Sequence, residues 1–576
     1  MASRITTFLV TLIVAGTVVA GLIVGAQRDE ATGPVDLIIT NGRVFTSLHG
    51  PLAEAVAVRG NKILRVGTNR EIKRLRRPQT VTIDARGGSV LPGFNDGHAH
   101  LLAGGLARAQ LDLSGLRSVE AIQAAIRDYA KANPDQAWIR GRGWAYEAFP
   151  GDLPTRQQLD AVVPDRPAFF TAFDGHTAWV NTKALQLAGI DRHTPDPAGG
   201  TIVRHPATGQ PTGALGESAV AMVRQLLPEP GPAARLDALR AAMAEAHAHG
   251  ITSVQIAGGR PEDLELLDTL RNAGELELRV YAALSLDDAE GQPDFDRLES
   301  VRDRFPDDPL LKAGAIKIML DGVVETHTAA LLQPYADRRT TGMLRYEPDE
   351  LTRLVTDLDR RGWQVLIHAI GDRAVRVALD ALETARAVNP APPRGRRHRL
   401  EHVETIDPAD ISRFASLGVL VSQQPLHASP GPGELDVWLH RLGRDRAGRG
   451  WLWGTLASAG ARVVFGSDWP VVTIDPLPAL HVATTRTSVP GEPAAGYLPD
   501  ERLPLAEAIH AYTAAGAYAS FDDQRKGTLE PGMLADIVIL TEDIFAEGAR
   551  IPDARVAMTI FDGRVVYDRD ESGTTD

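Results

Sequence analysis

The sequence predicts an α/β protein whose main domain is a (β/α)8 TIM barrel, joined to a small β-sandwich. Eight short apolar runs alternate with helical runs along the middle of the chain, which is the pattern of parallel strands connected by crossover helices. The interval between the first and second runs is far too long for one helix, so an insertion follows the first strand. Strand-like runs also occur at both ends of the chain, and we expect them to meet in the sandwich.

The candidate barrel strands are short apolar stretches, several of which end at polar residues. They lie at residues 88–94, 251–258, 278–284, 313–320, 363–370, 397–403, 418–425 and 461–468. Between them, the apolar spacing of residues 233–250 and 374–388 is typical of helices. We expect the inserted subdomain at about residues 117–235, with a strand of its own at 166–173. The Gly/Pro-rich stretch 426–446 follows the seventh strand, and we expect it to be a loop that covers the barrel mouth as a lid.

The β-rich runs near the two ends of the chain are separated by turn signals. The runs lie at residues 35–46, 55–67, 80–94, 527–543 and 555–570. The turns that indicate hairpins are Asn41-Gly42, Gly60-Asn61 and Asp562-Gly563. We therefore expect residues 35–90 and 526–570 to form one discontinuous sandwich, and residues 91–525 to form the barrel with its insertion.

Composition limits the class of protein and the kinds of ligand. The chain has 576 residues, 44% hydrophobic and 23% charged, which is typical of a soluble globular protein. Its net charge of −13 argues against a nucleic-acid partner. Because there is no cysteine, disulfides and thiolate metal sites are excluded. A bound metal would need ligands from His, Asp, Glu or a modified Lys. A homo-oligomer stays possible.

Residues 1–30 form a hydrophobic signal or anchor segment in this interpretation. Arg4 precedes an uncharged apolar stretch from Ile5 to Ala26, which is long enough to cross a bilayer, and Arg28 with the acidic residues Asp29 and Glu30 follows it. The stretch could be an uncleaved membrane anchor or a signal peptide cleaved near Ala26, whereas a buried core helix fits poorly. The flanking charges predict that the body is exported, to the periplasm or the cell surface. Any contact with a membrane is expected through this segment alone.

Six potential metal ligands lie at or near the ends of the predicted barrel strands. His98 and His100 follow the first strand, and residues i and i+2 of a strand point to the same face. The other four are Lys317, His368, His402 and Asp468. A lone strand histidine is more often a satisfied core residue than a ligand, but these six gather on five strands whose carboxyl ends meet in a barrel. A charged lysine buried in an apolar strand must be paired or neutralised.

Five motifs occur in an order that resembles the amidohydrolase superfamily: "PGFNDGHAH", "AIKIMLDG", "VLIHAIGD", "LEHVE" and "VVFGSDWP". The long insertion and the segment "DGHTAWVNTKAL" at 174–185 resemble the amidohydrolase-3 group, which includes N-substituted formamide deformylases. The resemblance extends from about residue 35 to 570. It implies a TIM barrel with a β-sandwich built from both termini, in agreement with the pattern of strands.

The resemblance also implies a metal centre. In the family pattern, His98, His100 and Asp468 bind one metal, usually zinc, while His368 and His402 bind a second, and a carboxylated Lys317 bridges the two. Burial favours the neutral amine that carboxylation requires. The alternative is an ion pair between Lys317 and an acid such as Asp321, which would leave a site for one metal.

The function implied is hydrolysis of a non-peptide C–N bond, of amide type, in a small molecule. A metal-activated hydroxide would attack, and Asp468 would act as general base and then as general acid. There is no Gly-x-Ser-x-Gly motif and no cysteine, so a covalent nucleophile has little support. The alternatives are deamination or ester and lactone hydrolysis at the same site, or a non-catalytic exported binding or regulatory protein.

Further residues are candidates for supporting roles. Asp372 and Glu401, together with Asp321, could orient metal ligands through hydrogen bonds, although solvated strand-end acids are an equal alternative. Residues that could contact the substrate share aromatic or imidazole side chains near the motifs: Trp144, Tyr146, His176, His427 and Trp469. For the aromatic residues, ordinary core packing is the alternative.

Overall fold

The computed structural model describes residues 34–572, except for residues 109, 174, 198, 287–293, 431–433, 490 and 492. The predicted signal or anchor segment at residues 1–30 lies outside the described residues. In the part of the chain that is described, no helix is long and apolar enough to span a membrane.

The described strands are numbered in chain order. They are β1 Leu37–Thr40, β2 Arg43–Val44, β3 Ala55–Arg59, β4 Lys62–Gly67, β5 Val81–Asp84, β6 Ser89–Pro92, β7 Phe94–Ala99, β8 Leu111–Asp112, β9 Ile139–Trp144, β10 Ala168–Ala172, β11 Thr177–Val180, β12 Gly200–Arg204, β13 Pro211–Glu217, β14 Ile251–Gly259, β15 Arg279–Ser285, β16 Leu311–Met319, β17 Gln364–Ala369, β18 Arg399–His402, β19 Leu420–Gln423, β20 Val463–Phe465, β21 Ile537–Leu540, β22 Val556–Phe561 and β23 Arg564–Asp568.

The described α-helices lie mostly between the barrel strands and within the insertion. They are Asn69–Lys73, Leu101–Ala107, Val119–Ala132, Arg156–Asp160, Thr182–Leu187, Ser218–Arg224, Pro232–Ala248, Pro261–Asn272, Phe295–Arg304, Pro348–Arg360, Asp372–Val388, Ile411–Leu417, Glu434–Leu442, Trp453–Ser458, Pro476–Thr485, Leu505–Ala511, Ala514–Ala519 and Arg569–Ser572.

The predicted (β/α)8 barrel is confirmed. Strands β7 and β14 to β20 form one sheet of parallel neighbours in chain order. Seven of them overlap the predicted ranges, but the prediction that the first barrel strand lies at 88–94 is wrong. Residues 89–92 form β6, which pairs with β21 outside the barrel, and the barrel strand is β7 at 94–99. Both strands are fully buried, so one continuous apolar run hid the boundary between two sheets.

The barrel closes where β7 meets the turn that follows β20. The amide of Asp468 donates to the carbonyl of His98 at 2.7 Å, and the amide of His100 donates to the carbonyl of Trp469 at 2.8 Å. A Cβ at Gly97 would lie 2.6 Å from Cγ1 of Val464, and one at Gly466 would overlap the backbone nitrogen of His98. The two glycines therefore permit this close approach of the first and last strands.

The insertion is a second α/β layer between β7 and β14. Its six strands have the order β12-β13-β11-β10-β9-β8, and the expected strand at 166–173 occurs as β10. Trp144, Phe170 and Trp179 are fully buried in an apolar core that belongs to the insertion. The insertion sheet begins at Leu111, somewhat before the expected start near residue 117.

The two ends of the chain form two further sheets. One has the order β4-β3-β1-β5, and the other, β2-β6-β21-β22-β23, contains strands from both ends. Gly60-Asn61 and Asp562-Gly563 turn the antiparallel pairs β3-β4 and β22-β23, as predicted. The hairpin predicted at Asn41-Gly42 is wrong, because β1 pairs with β3 and β5 while β2 pairs with β6. A Cβ at Gly42 would lie 2.6 Å from Val90, so the glycine is needed for the crossing between sheets.

The segment predicted as the loop 426–446 contains a helix, Glu434–Leu442. Trp438 of that helix is fully buried and lies 4.7 Å from Trp451, measured between ring centroids. Its indole Nε1 donates to Glu404 at 3.2 Å. The high proline and glycine content before residue 434 indicated a loop, and for that reason the helix that packs on the barrel was not predicted.

The close approach at Gly97 predicts a specific loss of stability. We expect Gly97→Ala to lower the free energy of unfolding by about 1–3 kcal/mol, because the new methyl group overpacks the closure of the barrel. Gly448→Ala is the matched control, since a Cβ there has no neighbour within 4 Å, and its effect should stay within about 0.5 kcal/mol. Thermal and urea unfolding measure both variants, and equal midpoints would contradict the prediction.

Candidate metal centre

Five of the six predicted ligands are buried at one end of the barrel, and the sixth, His100, is partly exposed. His98 lies on β7, Lys317 on β16, His368 on β17 and His402 at the end of β18, while Asp468 follows β20. The ring centroid of His402 is 4.9 Å from that of His98 and 4.5 Å from that of His368. The structure therefore brings these side chains together at the carboxyl ends of the strands.

One group of ligand atoms is formed by His98, His100 and Asp468. Oδ1 of Asp468 lies 3.1 Å from Nε2 of His100 and 3.4 Å from Nε2 of His98, and the three ligand atoms lie within 4.8 Å of one another. Among the described residues, neither Nε2 of His98 nor Oδ1 of Asp468 has a hydrogen-bond partner of acceptable geometry, although both atoms are buried. Two imidazole nitrogens and a carboxylate oxygen are a donor set that suits Zn²⁺, so the residues fit the implied metal.

A second group is formed by His402, His427 and Asp468, whose ligand atoms also lie within 4.8 Å of one another. His427 was predicted to contact substrate, and it lies on the turn that follows β19, with its ring stacked 6.1 Å from that of His402. The family resemblance predicted that His368, together with His402, binds the second metal. Nε2 of His368 instead lies 3.3 Å from the carbonyl oxygen of Gly322. The geometry thus offers His427, a fifth histidine, as a candidate ligand beside His402 for a second cation.

Lys317 is buried among the histidines. Burial lowers the pKa of His368 well below its usual value. Burial and the neighbouring His368 also lower the pKa of His402. Both imidazoles are therefore neutral at pH 7, which is the form that binds a metal. The carboxylate of Asp321, the alternative ion partner of Lys317, accepts hydrogen bonds from the backbone amides of residues 330, 370 and 371 at 2.9–3.0 Å.

Hydrogen bonds fix the orientation of two ligand rings. Nδ1 of His98 donates to Glu401 at 2.6 Å, and Nδ1 of His402 donates to the side-chain oxygen of Gln424 at 2.8 Å. Burial alone would raise the pKa of Glu401, but Arg399 and His98 hold it well below its usual range. Each contact leaves Nε2 as the nitrogen available to a cation. Glu401 therefore orients His98 rather than its neighbour His402.

The carboxylate of Asp468 is ionised at neutral pH. Although burial opposes its charge, His98 and His100 hold the pKa of Asp468 well below the usual value. The residue adopts a positive φ of 59° immediately after the last strand. An ionised carboxylate between the two groups can bind a cation or accept a proton.

Asp372, a candidate for orienting a metal ligand, accepts the backbone amide of Leu332 at 2.8 Å and so holds the segment between β16 and the next helix. Oδ1 of Asp321 does lie near a predicted ligand, 3.7 Å from Nε2 of His368. Burial raises the pKa of Asp321 to about 7, against the effect of its three backbone amides.

A small cavity of about 70 Å³ lies over His368, His402 and Asp468. His176 of the insertion lines it, and Nδ1 of His176 donates to Glu217 at 3.0 Å. The other carboxylate oxygen of Glu217 accepts from the hydroxyls of Thr326 and Thr328, both at 2.9 Å. These partners overcome burial and lower the pKa of Glu217 to about 2. Sequence reasoning missed both Glu217 and Gln424.

Three aromatic residues predicted to line the substrate pocket do not line this cavity. Nε1 of Trp144 donates to the carbonyl of Phe170 at 3.1 Å, and the hydroxyl of Tyr146 lies 2.8 Å from that of Thr177, so both belong to the core of the insertion. The ring of Trp469 packs against Gly104 and lines a larger, neighbouring cavity. The position of an aromatic residue beside a motif did not indicate whether it would face the site or be buried in one of the hydrophobic cores.

The hydrogen bond between Glu401 and His98 predicts a defect in metal affinity. We expect Glu401→Gln to weaken Zn²⁺ binding by about 10–100-fold, because the neutral amide no longer fixes the tautomer of His98. Competition with a chelating indicator measures the affinity. The exposed Glu120→Gln is the control and should bind as wild type does. Unchanged affinity in the Glu401 variant would contradict the assigned role.

Comparison with known proteins gives the chain a family. A family model described as the amidohydrolase family matches residues 81–567. The chain is 32% identical over 544 residues to the Bacillus subtilis (strain 168) protein named "Putative amidohydrolase YtcJ", covering 92% of this chain and 98% of that protein. It is 30% identical over 547 residues to N-substituted formamide deformylase of Arthrobacter pascens, covering 93% and 98%.

A solved structure agrees with this relationship. An uncharacterized metal-dependent hydrolase from Pyrococcus furiosus superposes with a TM-score of 0.68 at 26% sequence identity, covering 88% of this chain and 100% of that chain. The matched region includes every predicted ligand from His98 to Asp468. The chain therefore belongs to the amidohydrolase family and is a metal-dependent hydrolase.

Proposed function

We propose that this hydrolase cleaves a non-peptide C–N bond, of amide type, in a small molecule. The observation that carries the proposal is the position of Asp468 between the two groups of candidate ligands. Its Oδ1 lies 3.1 Å from Nε2 of His100, and its Oδ2 lies 4.0 Å from Nε2 of His427. The relative named N-substituted formamide deformylase supports the C–N bond as the target.

The cofactor of this proposal is a pair of zinc ions. His98, His100 and Asp468 would hold one ion, and His402 would hold the other together with His368 or His427. Lys317, carboxylated on Nζ, would bridge the two, and its burial among neutral imidazoles favours the uncharged amine that accepts CO₂. When bound, the cations supply a Lewis acid for the substrate carbonyl and lower the pKa of a water molecule.

The protein's own residues then handle the proton and the substrate. The ionised carboxylate of Asp468 accepts a proton from the attacking water and passes it to the leaving nitrogen, which prevents expulsion of an amide anion. His176, held by Glu217 through Nδ1, lines the cavity and would contact the substrate there. Phe173 and Trp451 line the cavity and would limit the access of bulk water to the reacting groups.

The place of action in this proposal is outside the cytoplasm. The support is the sequence of residues 1–30, in which Arg4 precedes 22 uncharged residues from Ile5 to Ala26. Fractionation of cells that express the full chain tests it, and recovery of all activity in the cytosol would contradict it.

Removing the proton acceptor should abolish turnover. We expect Asp468→Asn to lower kcat by at least about 10³-fold, since general base and acid are lost together with a ligand. The assay uses a panel of N-formyl, N-acyl and cyclic amides, with matched esters, lactones and aminopurines. Asp165→Asn changes an exposed side chain and is the control. Turnover confined to the esters, or ammonia released only from the aminopurines, would contradict amide hydrolysis.

The bridging role of Lys317 predicts a change in metal content. We expect Lys317→Ala to bind about one equivalent of zinc where wild type binds two, because the shared ligand is missing. Elemental analysis after gel filtration measures the content, and the exposed Lys73→Ala is the control. Wild-type protein prepared with ¹³C-bicarbonate should show a carbamate signal that the variant lacks. Equal zinc content in both proteins would exclude the bridge.

A further inference from the structure

A second, larger cavity adjoins the candidate metal centre. Its volume is about 490 Å³, and it lies between the insertion, the helix Leu101–Ala107 and residues 469–473, which follow Asp468. Phe173, Val471 and Val472 line both this cavity and the small one over the histidines. A molecule whose reacting bond lies beside Asp468 can therefore extend into the larger space.

Three arginines line the larger cavity, and two of them have close carboxylate partners. Arg108 is paired with Glu245, and Arg117 lies 2.7 Å from Glu147. The third, Arg142, has its side chain only 19% exposed, and among the described residues its ion-pair partner is the largely exposed Asp112 at 3.7 Å. An ion pair at that distance with an exposed partner is weak. Arg142 thus carries the guanidinium with the most remaining capacity for a further anion.

Arg142 is also held next to the reacting groups. It lies on β9 of the insertion, and its Nη1 donates to the carbonyl oxygen of Pro470, two residues after Asp468. One edge of the guanidinium therefore binds the segment that follows Asp468, the candidate proton acceptor. Burial lowers the pKa of Arg142 from its usual value, which is the effect of a cation that has lost water without full compensation.

We propose that Arg142 binds a carboxylate of the substrate, so that the amide hydrolysed by this enzyme is an N-acylated amino acid or a similar carboxylate-bearing amide. The planar guanidinium fork matches a carboxylate, and the partly buried position strengthens the contact. Phe173, Trp469 and the two valines supply an apolar wall for the rest of the substrate. The inference rests on the proposed amide hydrolysis and adds the class of substrate.

A matched pair of amides tests the proposal. N-formyl-phenylalanine, as both enantiomers, and N-formyl-2-phenylethylamine differ only in the carboxylate. We expect wild-type zinc enzyme to favour the better enantiomer by at least about 10-fold in kcat/KM over the neutral amide. In Arg142→Gln this ratio should fall to about 1, and in Arg142→Lys it should be intermediate. Arg117→Gln removes another arginine of the same cavity and should keep the wild-type ratio.

Each outcome decides the proposal. A wild-type ratio of 1 or below, or a ratio that survives in a folded Arg142→Gln, overturns it, and thermal unfolding shows whether that variant is folded. If neither amide is hydrolysed, the proposed amide hydrolysis has failed for this class, and calorimetric binding of N-formyl-phenylalanine decides the subsite separately. Binding that Arg142→Gln weakens at least 10-fold supports it, whereas no binding to wild type overturns it.

Discussion

The contact between the first and last barrel strands is the constraint on which the site depends. Gly97 and Gly466 let the two segments approach, and the buried carboxylate of Asp96 links them. Asp96 accepts from the amides of His98 and Ser467 at 3.0 Å, and from the hydroxyl of Ser467 at 2.5 Å. Burial raises the pKa of Asp96 to about 6 despite these donors, so the link carries an electrostatic cost. Because Asp96 joins the two segments, His98 and Asp468 are held facing each other.

Strain and burial concentrate at the same end of the barrel. His402, Val403 and Asp468 all have positive φ values, of 74°, 48° and 59°. Residues other than glycine adopt this backbone conformation only at a cost of about 1–3 kcal/mol each. Glu217, which fixes His176, also has a positive φ, of 53°. A folded domain tolerates such conformations where surrounding contacts determine them, here the strand pairing and buried hydrogen bonds of the site. The strand pairing and these hydrogen bonds therefore position the ligand side chains.

The parts of the fold and site that the sequence predicted are those encoded locally. Seven barrel strands follow from short apolar runs, and the clustering of His98, His100, Lys317, His368, His402 and Asp468 follows from the shared edge of a parallel barrel. The parts it missed depend on contacts distant in sequence. Nothing near Glu217 or Gln424 indicates their histidine partners, and Trp144 and Tyr146 have the same local character whether they face a ligand or the core of the insertion. The boundary between β6 and β7 was hidden because both strands are wholly buried.

The pairing of β6 with β21 has a consequence for biogenesis. β6 runs almost directly into β7, which carries His98, yet its antiparallel neighbour is synthesised more than 400 residues later. A nascent chain on the ribosome thus exposes a buried strand with one edge unpaired until residues 537–540 emerge. The sheet beside the barrel is completed by the terminal segment, so truncation near the C-terminus disturbs the strand that leads into the first metal ligand, although the break is remote from it in sequence.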